Sequence, residues 1–415
     1  RLKGHFAPTS SYPNPHNTHH IIQRQTMNNK IFWVLLLAPM FFSSCTQWQG
    51  ETVETAYVLP PYPDPEYKFT RNGSSSVDYL ECSLLRDPLN YIYDSYLKEA
   101  NILYRAQFET MKNYWDNGEF GLKPRNEISA SPLHKADSAL VKRDVEDIFN
   151  QSAALSGMGK EGPGTARNQK AKPGKAGYLG RNIGDVNLAF ANEKGLVVAE
   201  LFKGIVYGGI YLDKILNTHL NDSVLNSEAL RRSHEANELV AGHNYTVLEH
   251  HWDLAYGYYQ FWLPYVQTSN AVALRQSRIT LYNAFAAGRA AITQYRYADM
   301  LQQQAIIRAE LSKVAATRAV TLLTGATTMA NIHEDEANAL TFLSEACGAI
   351  YGLQFTVQTT GKPHFSYNEV KNIIQELTAG TGLWDKQRLL GPAATAGSLQ
   401  NVALQVAQTY GLSLQ

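Results

Sequence analysis

The residues best equipped for chemistry stand in one string, Thr246-Val-Leu-Glu-His-His-Trp-Asp-Leu-Ala-Tyr-Gly-Tyr-Tyr259. Two adjacent histidines, His250 and His251, lie between Glu249 and Asp253. On a helix Glu249 and Asp253 share a face, one turn apart, and His250 stands one turn from Asp253. Carboxylate and imidazole on one face form a donor set for a divalent cation. His243, just ahead of the string, adds a further nitrogen. A metal reading therefore takes His243, His250 and Asp253 as candidate ligands. The string is not HExxH, the pattern that sets two histidines one turn apart as zinc ligands. An architectural reading uses the same residues differently. Thr246-x-x-Glu249 has the form of a capping box, in which the threonine oxygen accepts from the glutamate amide and the glutamate side chain returns to the threonine amide. Trp252 and Tyr256 then belong to the core, and His250 and Asp253 pair with other helices.

Further charges fall inside apolar stretches: Glu200 and Lys203, Arg289 within Gly288-Arg-Ala-Ala-Ile292, and Glu345 within Phe342-Leu-Ser-Glu-Ala346. Charges on buried faces are rarely unpaired, so Arg289 is expected to pair with Glu345, Asp253 or Glu249. No Ser-His-Asp or reactive-cysteine arrangement stands out. Residues 156–185 hold eight glycines and six basic side chains. They lack GxxxxGK[ST] and follow no strand, so they are not a phosphate-binding loop. They read as a solvated, mobile loop.

The elements that must position these residues are helices. Apolar spacing predicts them over residues 89–114, 136–155, 194–216, 246–261, 269–294, 297–323, 334–353, 366–377 and 398–410. Ser269 is a plausible N-cap, and Gly380 and Gly411 sit where helix C-caps are expected. Gly204, Gly208 and Gly209 suggest close approach of another helix. No run alternates convincingly. The expected fold is all-α, a multi-helix bundle or two bundles sharing an interface.

Ahead of this body, Met27-Asn-Asn-Lys30 is a short basic segment, Ile31–Phe42 is uncharged, and Ser43-Ser44-Cys45 follows. The apolar run is too short for a membrane span and fits a signal peptide over 27–44, with Cys45 as the lipidated residue. Residues 1–26 read as an upstream extension. Pro60, Pro61, Pro63 and Pro65 make residues 45–66 an extended tether. The globular domain then spans 67–415. The chain holds 37 basic and 37 acidic residues. Arg1, Lys3, Arg24 and Lys30 lie before Cys45 without an acid, which leaves 33 basic against 37 acidic side chains beyond it, a charge of −4. That balance does not favour nucleic acid, which needs a concentrated basic face. Cys82 and Cys347 are the other cysteines. Export would permit a disulfide, but isolated cysteines in apolar surroundings read as buried thiols.

The string Glu249-His-His-Trp-Asp-Leu-Ala-Tyr-Gly-Tyr258 resembles the Bacteroidota lipoprotein family called domain of unknown function 4856. Similar pieces run in order along the chain: Tyr67–Val77, Glu200–Gly209, Phe285–Ile292 and Leu343–Ala346. The resemblance implies an all-α surface lipoprotein, similar in setting to imelysin-like lipoproteins and TonB-dependent receptors. Imelysin-like proteins carry GxHxxE, from which Gly242-His243-Asn-Tyr-Thr-Val-Leu-Glu249 departs in both spacings, so no catalytic residue is transferred. The expected function is that of an exported, outer-membrane lipoprotein acting as a non-enzymatic binding or accessory protein in iron or other nutrient uptake. A TonB-dependent receptor is the kind of partner implied. The rivals are a metal-dependent hydrolase built on the 246–259 helix and a purely structural envelope component. A catalytic site should leave Glu249, His250, His251 or Asp253 in an open pocket. An accessory protein should bury them in paired networks and instead expose an apolar or aromatic patch.

Overall fold

Helices dominate because apolar residues recur with helical spacing and the caps fall where the side chains allow them. The computed structural model describes residues 66–98, 108–155, 169–180, 189–267 and 272–413. All of them belong to one compact unit, Val58–Gln415. Residues 1–65, with Cys45, the signal segment and most of the tether, lie outside the described residues.

The principal helices are α1 (Leu80–Ile92), α2 (Phe108–Asn117), α3 (Ser138–Leu155), α4 (Val198–Val206), α5 (Glu228–Glu235), α6 (Val247–Tyr259), α7 (Val272–Thr293), α8 (Tyr297–Thr324), α9 (Ala326–Glu334), α10 (Glu336–Gly352), α11 (Tyr367–Leu377) and α12 (Leu399–Tyr410). Short helical turns lie between some of them. Two antiparallel ladders complete the described structure, β1 (Thr70–Arg71) with β2 (Ser74–Ser75) and β3 (Gly177–Leu179) with β4 (Ala189–Ala191). The fold is all-α in class, as the apolar periodicity implies.

Element boundaries differ from the sequence expectation where a local breaker misleads. Helix α1 begins at Leu80, ahead of Pro88, which lies inside it. Pro88 forfeits one N–H of the ladder, and the sequence reading began the helix after it. The expected 194–216 helix starts at Val198 and continues beyond Val206 as a wider-wound π-helix, Tyr207–His219. Helices α5 and α9, of eight and nine residues, are too short and carry too few apolar residues to be read in advance. The expected N-cap Ser269 lies outside the described residues, as do 156–168 and 181–185 of the Gly/Lys-rich loop. The described part of that loop turns at Lys172–Lys175 and enters β3. No helix among the described residues is long and apolar enough to cross a membrane.

Helix α8 runs beside α7, α10 and α12, and α10 lies across α4. The approach of α10 to α4 and to the π-helix that continues it is glycine on glycine. A Cβ on Gly204 would fall 2.2 Å from the Gly348 carbonyl carbon, and one on Gly208 would fall 2.5 Å from Gly352 Cα. Backbones this close leave no room for side chains, which explains the small residues in both helices. Cys82 and Cys347 are free and buried.

Candidate functional site

Helix α6 begins at Thr246, whose hydroxyl oxygen accepts from the Glu249 amide at 3.4 Å. Glu249 Oε2 returns to the Thr246 amide at 2.8 Å, completing the capping box. This fixes Glu249 at the helix mouth and sets Asp253 one turn further on the same inward face. His234 on α5 joins the cap through Nδ1, 2.8 Å from Thr246 Oγ1, while its Nε2 lies 2.9 Å from the Ile292 carbonyl. A carbonyl only accepts, so Nε2 carries the proton. Burial pushes this imidazole down, which keeps it neutral.

Arg289 on α7 crosses to both carboxylates. Its Nε donates to Asp253 Oδ1 at 3.0 Å and its Nη1 to Glu249 Oε1 at 2.9 Å. Nη1 also reaches Thr293 Oγ1 at 2.8 Å, and Nη2 reaches the Ser76 carbonyl and hydroxyl at 3.2 and 3.1 Å. The arginine stands 5.0 Å over the Phe69 ring. A second arginine, Arg71 on β1, forks onto Glu249 at 2.8 and 3.0 Å, while Tyr67 O–H donates to Asp253 Oδ1 at 2.8 Å. The Tyr67 ring stacks on Tyr256 with centroids 3.8 Å apart. Arg289 and Asp253 are 0% exposed and Glu249 1%. Two carboxylates and two guanidinium groups thus close a charge-balanced network, held from one side by the strap Tyr67–Ser76 and from the other by α6 and α7.

The acids in this network differ. Burial alone would lift Glu249, but the Arg71 hydrogen bonds and the Arg289 charge outweigh it and hold this carboxyl below its usual value. Burial dominates at Asp253 and lifts it to about 7 against the pull of Arg289. Asp253 Oδ2 accepts no hydrogen bond among the described residues, so half of this carboxylate is desolvated without compensation. Burial also works against the Arg289 charge, yet Asp253 and Glu249 more than offset it, and the guanidinium stays charged.

The remaining residues of the string face other neighbours. Trp252 donates through Nε1 to the Phe285 carbonyl at 2.9 Å. It fits because residue 288 is glycine: a Cβ there would lie 2.0 Å from its ring. His250 stacks on Tyr245 with centroids 4.3 Å apart, and its Nδ1 lies 3.1 Å from the Asp78 carbonyl. His243 turns to the Asp78 carboxylate at 3.6 Å. His251 lies with Nδ1 3.0 Å from His219 Nδ1. The candidate metal ligands His243, His250 and Asp253 are therefore not brought together. The helix points the aspartate into the arginine network and the histidine toward Asp78. Among the described residues no group of three or more His, Cys, Asp or Glu side chains is arranged to hold a metal ion.

Glu345 and Glu200 belong to a second cluster, and Arg289 does not reach them. Lys203 donates to Glu345 at 2.9 Å and lies 3.6 Å from Glu200. Arg318 also donates to Glu345 and stands 3.3 Å over the Tyr265 ring. Tyr93 O–H donates to Glu200 at 2.7 Å. Burial lifts Glu200. Burial would lift Glu345 as well, but Arg318 and Lys203 hold it low.

Sequence spacing missed Tyr67, Arg71 and Ser76, which come from far along the chain. Their only advance signal was the Tyr67–Val77 string among the family-like pieces. A family model described as Domain of unknown function (DUF4856) matches residues 64–413. No curated protein and no solved structure matches the chain.

Proposed function

The chain belongs to the DUF4856 family, and on that premise we propose that it is a membrane-anchored, non-enzymatic binding or accessory lipoprotein of the cell envelope, serving uptake of iron or another nutrient beside a membrane receptor. The observation that carries the non-enzymatic part is the closure of the Glu249–Asp253–Arg289 network. Every charged group in it is spent on a protein partner, and the two carboxylates are shut from solvent. A catalytic carboxylate needs a path to substrate, and a network of this kind fixes geometry instead. What it fixes is the strap Tyr67–Ser76, the first described segment after the proline-rich residues 60–65. In this reading the network fastens the end of the tether to the helical body.

The decisive experiment is mass spectrometry of the mature N-terminus from cells that make the protein natively. The expected result is a diacylated or triacylated Cys45. An N-terminus elsewhere, or an unmodified Cys45, overturns the anchored reading.

A further inference from the structure

A cavity of about 410 Å³ opens where the chain leaving α10 folds back over α8, away from the Glu249–Arg289 network. Its volume falls within the range of roughly 300–1,000 Å³ common for small-molecule sites. Helix α8 contributes Arg308, Glu310 and Lys313, the segment between α10 and α11 contributes His364, and the end of α12 contributes Tyr410, with Asp222 at the rim.

The hydrogen bonds beneath His364 decide which face of the imidazole the cavity meets. Thr356 Oγ1 lies 2.6 Å from the Leu353 carbonyl, which can only accept, so the single hydroxyl hydrogen is spent there. Tyr410 Oη at 2.5 Å and His364 Nδ1 at 3.2 Å must then both donate to Thr356 Oγ1. The His364 ring is further fixed by stacking on Tyr410, with centroids 4.1 Å apart. With Nδ1 protonated and burial pushing the imidazole down to about 4, the ring is neutral and Nε2 is a bare acceptor. Nε2 has no hydrogen-bond partner among the described residues.

The charges around the cavity cancel. Arg308 pairs with Asp222 at 3.2 Å. Glu310 accepts from the Ser277 hydroxyl at 2.5 Å. Lys313 is exposed and makes no ion pair among the described residues. A net-charged guest gains nothing overall from two cations and two carboxylates. A guest whose hydroxyls both donate and accept matches a wall that carries acceptors (His364 Nε2, Glu310) and donors (Lys313, Arg308) together. We propose that this cavity is a binding site for a neutral mono- or disaccharide. The proposal deepens the binding-protein reading and rests on it in one respect, that the guest leaves chemically unchanged.

The test is titration of the full mature chain with methyl glucoside, methyl galactoside, methyl mannoside, maltose and cellobiose, read by calorimetry and saturation-transfer NMR. Glucuronate and glucosamine serve as charged comparators. At least one neutral sugar should bind, and its charged counterpart should bind more weakly. His364→Leu, which removes the bare acceptor, should weaken binding about tenfold, the worth of one well-placed hydrogen bond. Lys313→Ala should weaken it about threefold with an unchanged melting temperature, because this side chain is exposed and holds no partner. If His364→Leu proves poorly folded, Lys313→Ala decides alone. No binding by the whole panel at millimolar concentration, tighter binding of the charged sugars, or an unchanged affinity in Lys313→Ala overturns the site. Hydrolysis of bound maltose or cellobiose would instead overturn the non-enzymatic reading while leaving the site in place.

Discussion

Two four-charge clusters in this molecule have the same inventory and different physics. Glu249, Asp253, Arg71 and Arg289 have side chains 1, 0, 16 and 0% exposed. Glu200, Glu345, Lys203 and Arg318 have side chains 10, 20, 28 and 17% exposed. The first cluster gathers neutral donors as well, from Tyr67, Ser76 and the Thr246 amide. The second adds one neutral donor among the described residues, the Tyr93 hydroxyl, and keeps Lys203 and Glu345 28 and 20% exposed. Taking a charge fully out of water costs several kcal/mol, which only complete pairing offsets. A partly exposed charge is served in part by solvent when a partner is lost. Counting ion pairs would rank the clusters as equals, whereas burial separates a fastening that must stay closed from one that tolerates opening.

The largest effect expected from this contrast is that of Arg289→Ala. Removing the guanidinium leaves Asp253 with only the Tyr67 hydroxyl and strips Glu249 of one of two arginines. The cost should be about 3–5 kcal/mol, the range for breaking a buried pair, read as lost stability in urea. Asp253→Ala should also be costly, because Arg289 then keeps only part of its compensation. The double variant should lose less than the sum, since both substitutions delete one interaction. An Arg289→Ala protein as stable as wild type would remove the basis for the fastening role.

Acid supplies the next effect, through a pair that has burial without charge. His219 Nδ1 and His251 Nδ1 lie 3.0 Å apart, so one must donate and the other accept. His219 Nε2 is buried without a partner among the described residues. It is least costly as a bare nitrogen, which makes His219 the donor through Nδ1. Burial pushes His251 down to about 4 and His219 well below its usual value. Both folded values are depressed, so their contribution is complete above about 6.5, the ordinary histidine value, and is lost as pH falls toward 4. Asp253, lifted to about 7, acts in the opposite sense: its contribution is complete below about 4 and is lost as pH rises through 7. Melting temperature should therefore fall more steeply between pH 6.5 and 4 in wild type than in His251→Leu. Parallel curves would show that the pair does not titrate on unfolding.

What the sequence made legible was local. The capping box, the shared face of Glu249 and Asp253, and the close approach implied by Gly204 and Gly208 all follow from spacing within one helix. Arg289 was readable as a charge in need of a partner, and two of its three expected partners are real. The third, Glu345, is taken by Lys203 and Arg318, a choice made by how α4, α8 and α10 pack rather than by any pattern in one segment. The strap was illegible for the same reason. Tyr67, Arg71 and Ser76 lie more than 170 positions before their partners, and a two-residue strand has no periodicity to read. The separate fates of His250 and His251 depend on Asp78 and His219, on elements that helical spacing alone cannot orient.

The smallest effect, and the sharpest check on the contrast, is Lys203→Met. Methionine keeps most of the aliphatic stem that lies against the α4–α10 contact and removes only the ammonium. Glu345 would retain Arg318, and Glu200 would retain the Tyr93 hydroxyl. Glu345 also stays a fifth exposed to water, and Glu200, which burial already lifts, can take up a proton instead of standing as a stranded charge. The loss should be about 1 kcal/mol, measured in the same urea titration as Arg289→Ala, and it should shrink further in high salt because partly exposed pairs are partly screened. A salt-independent loss as large as that of Arg289→Ala would mean that the second cluster is as desolvated in solution as the first, and exposure would no longer distinguish the two.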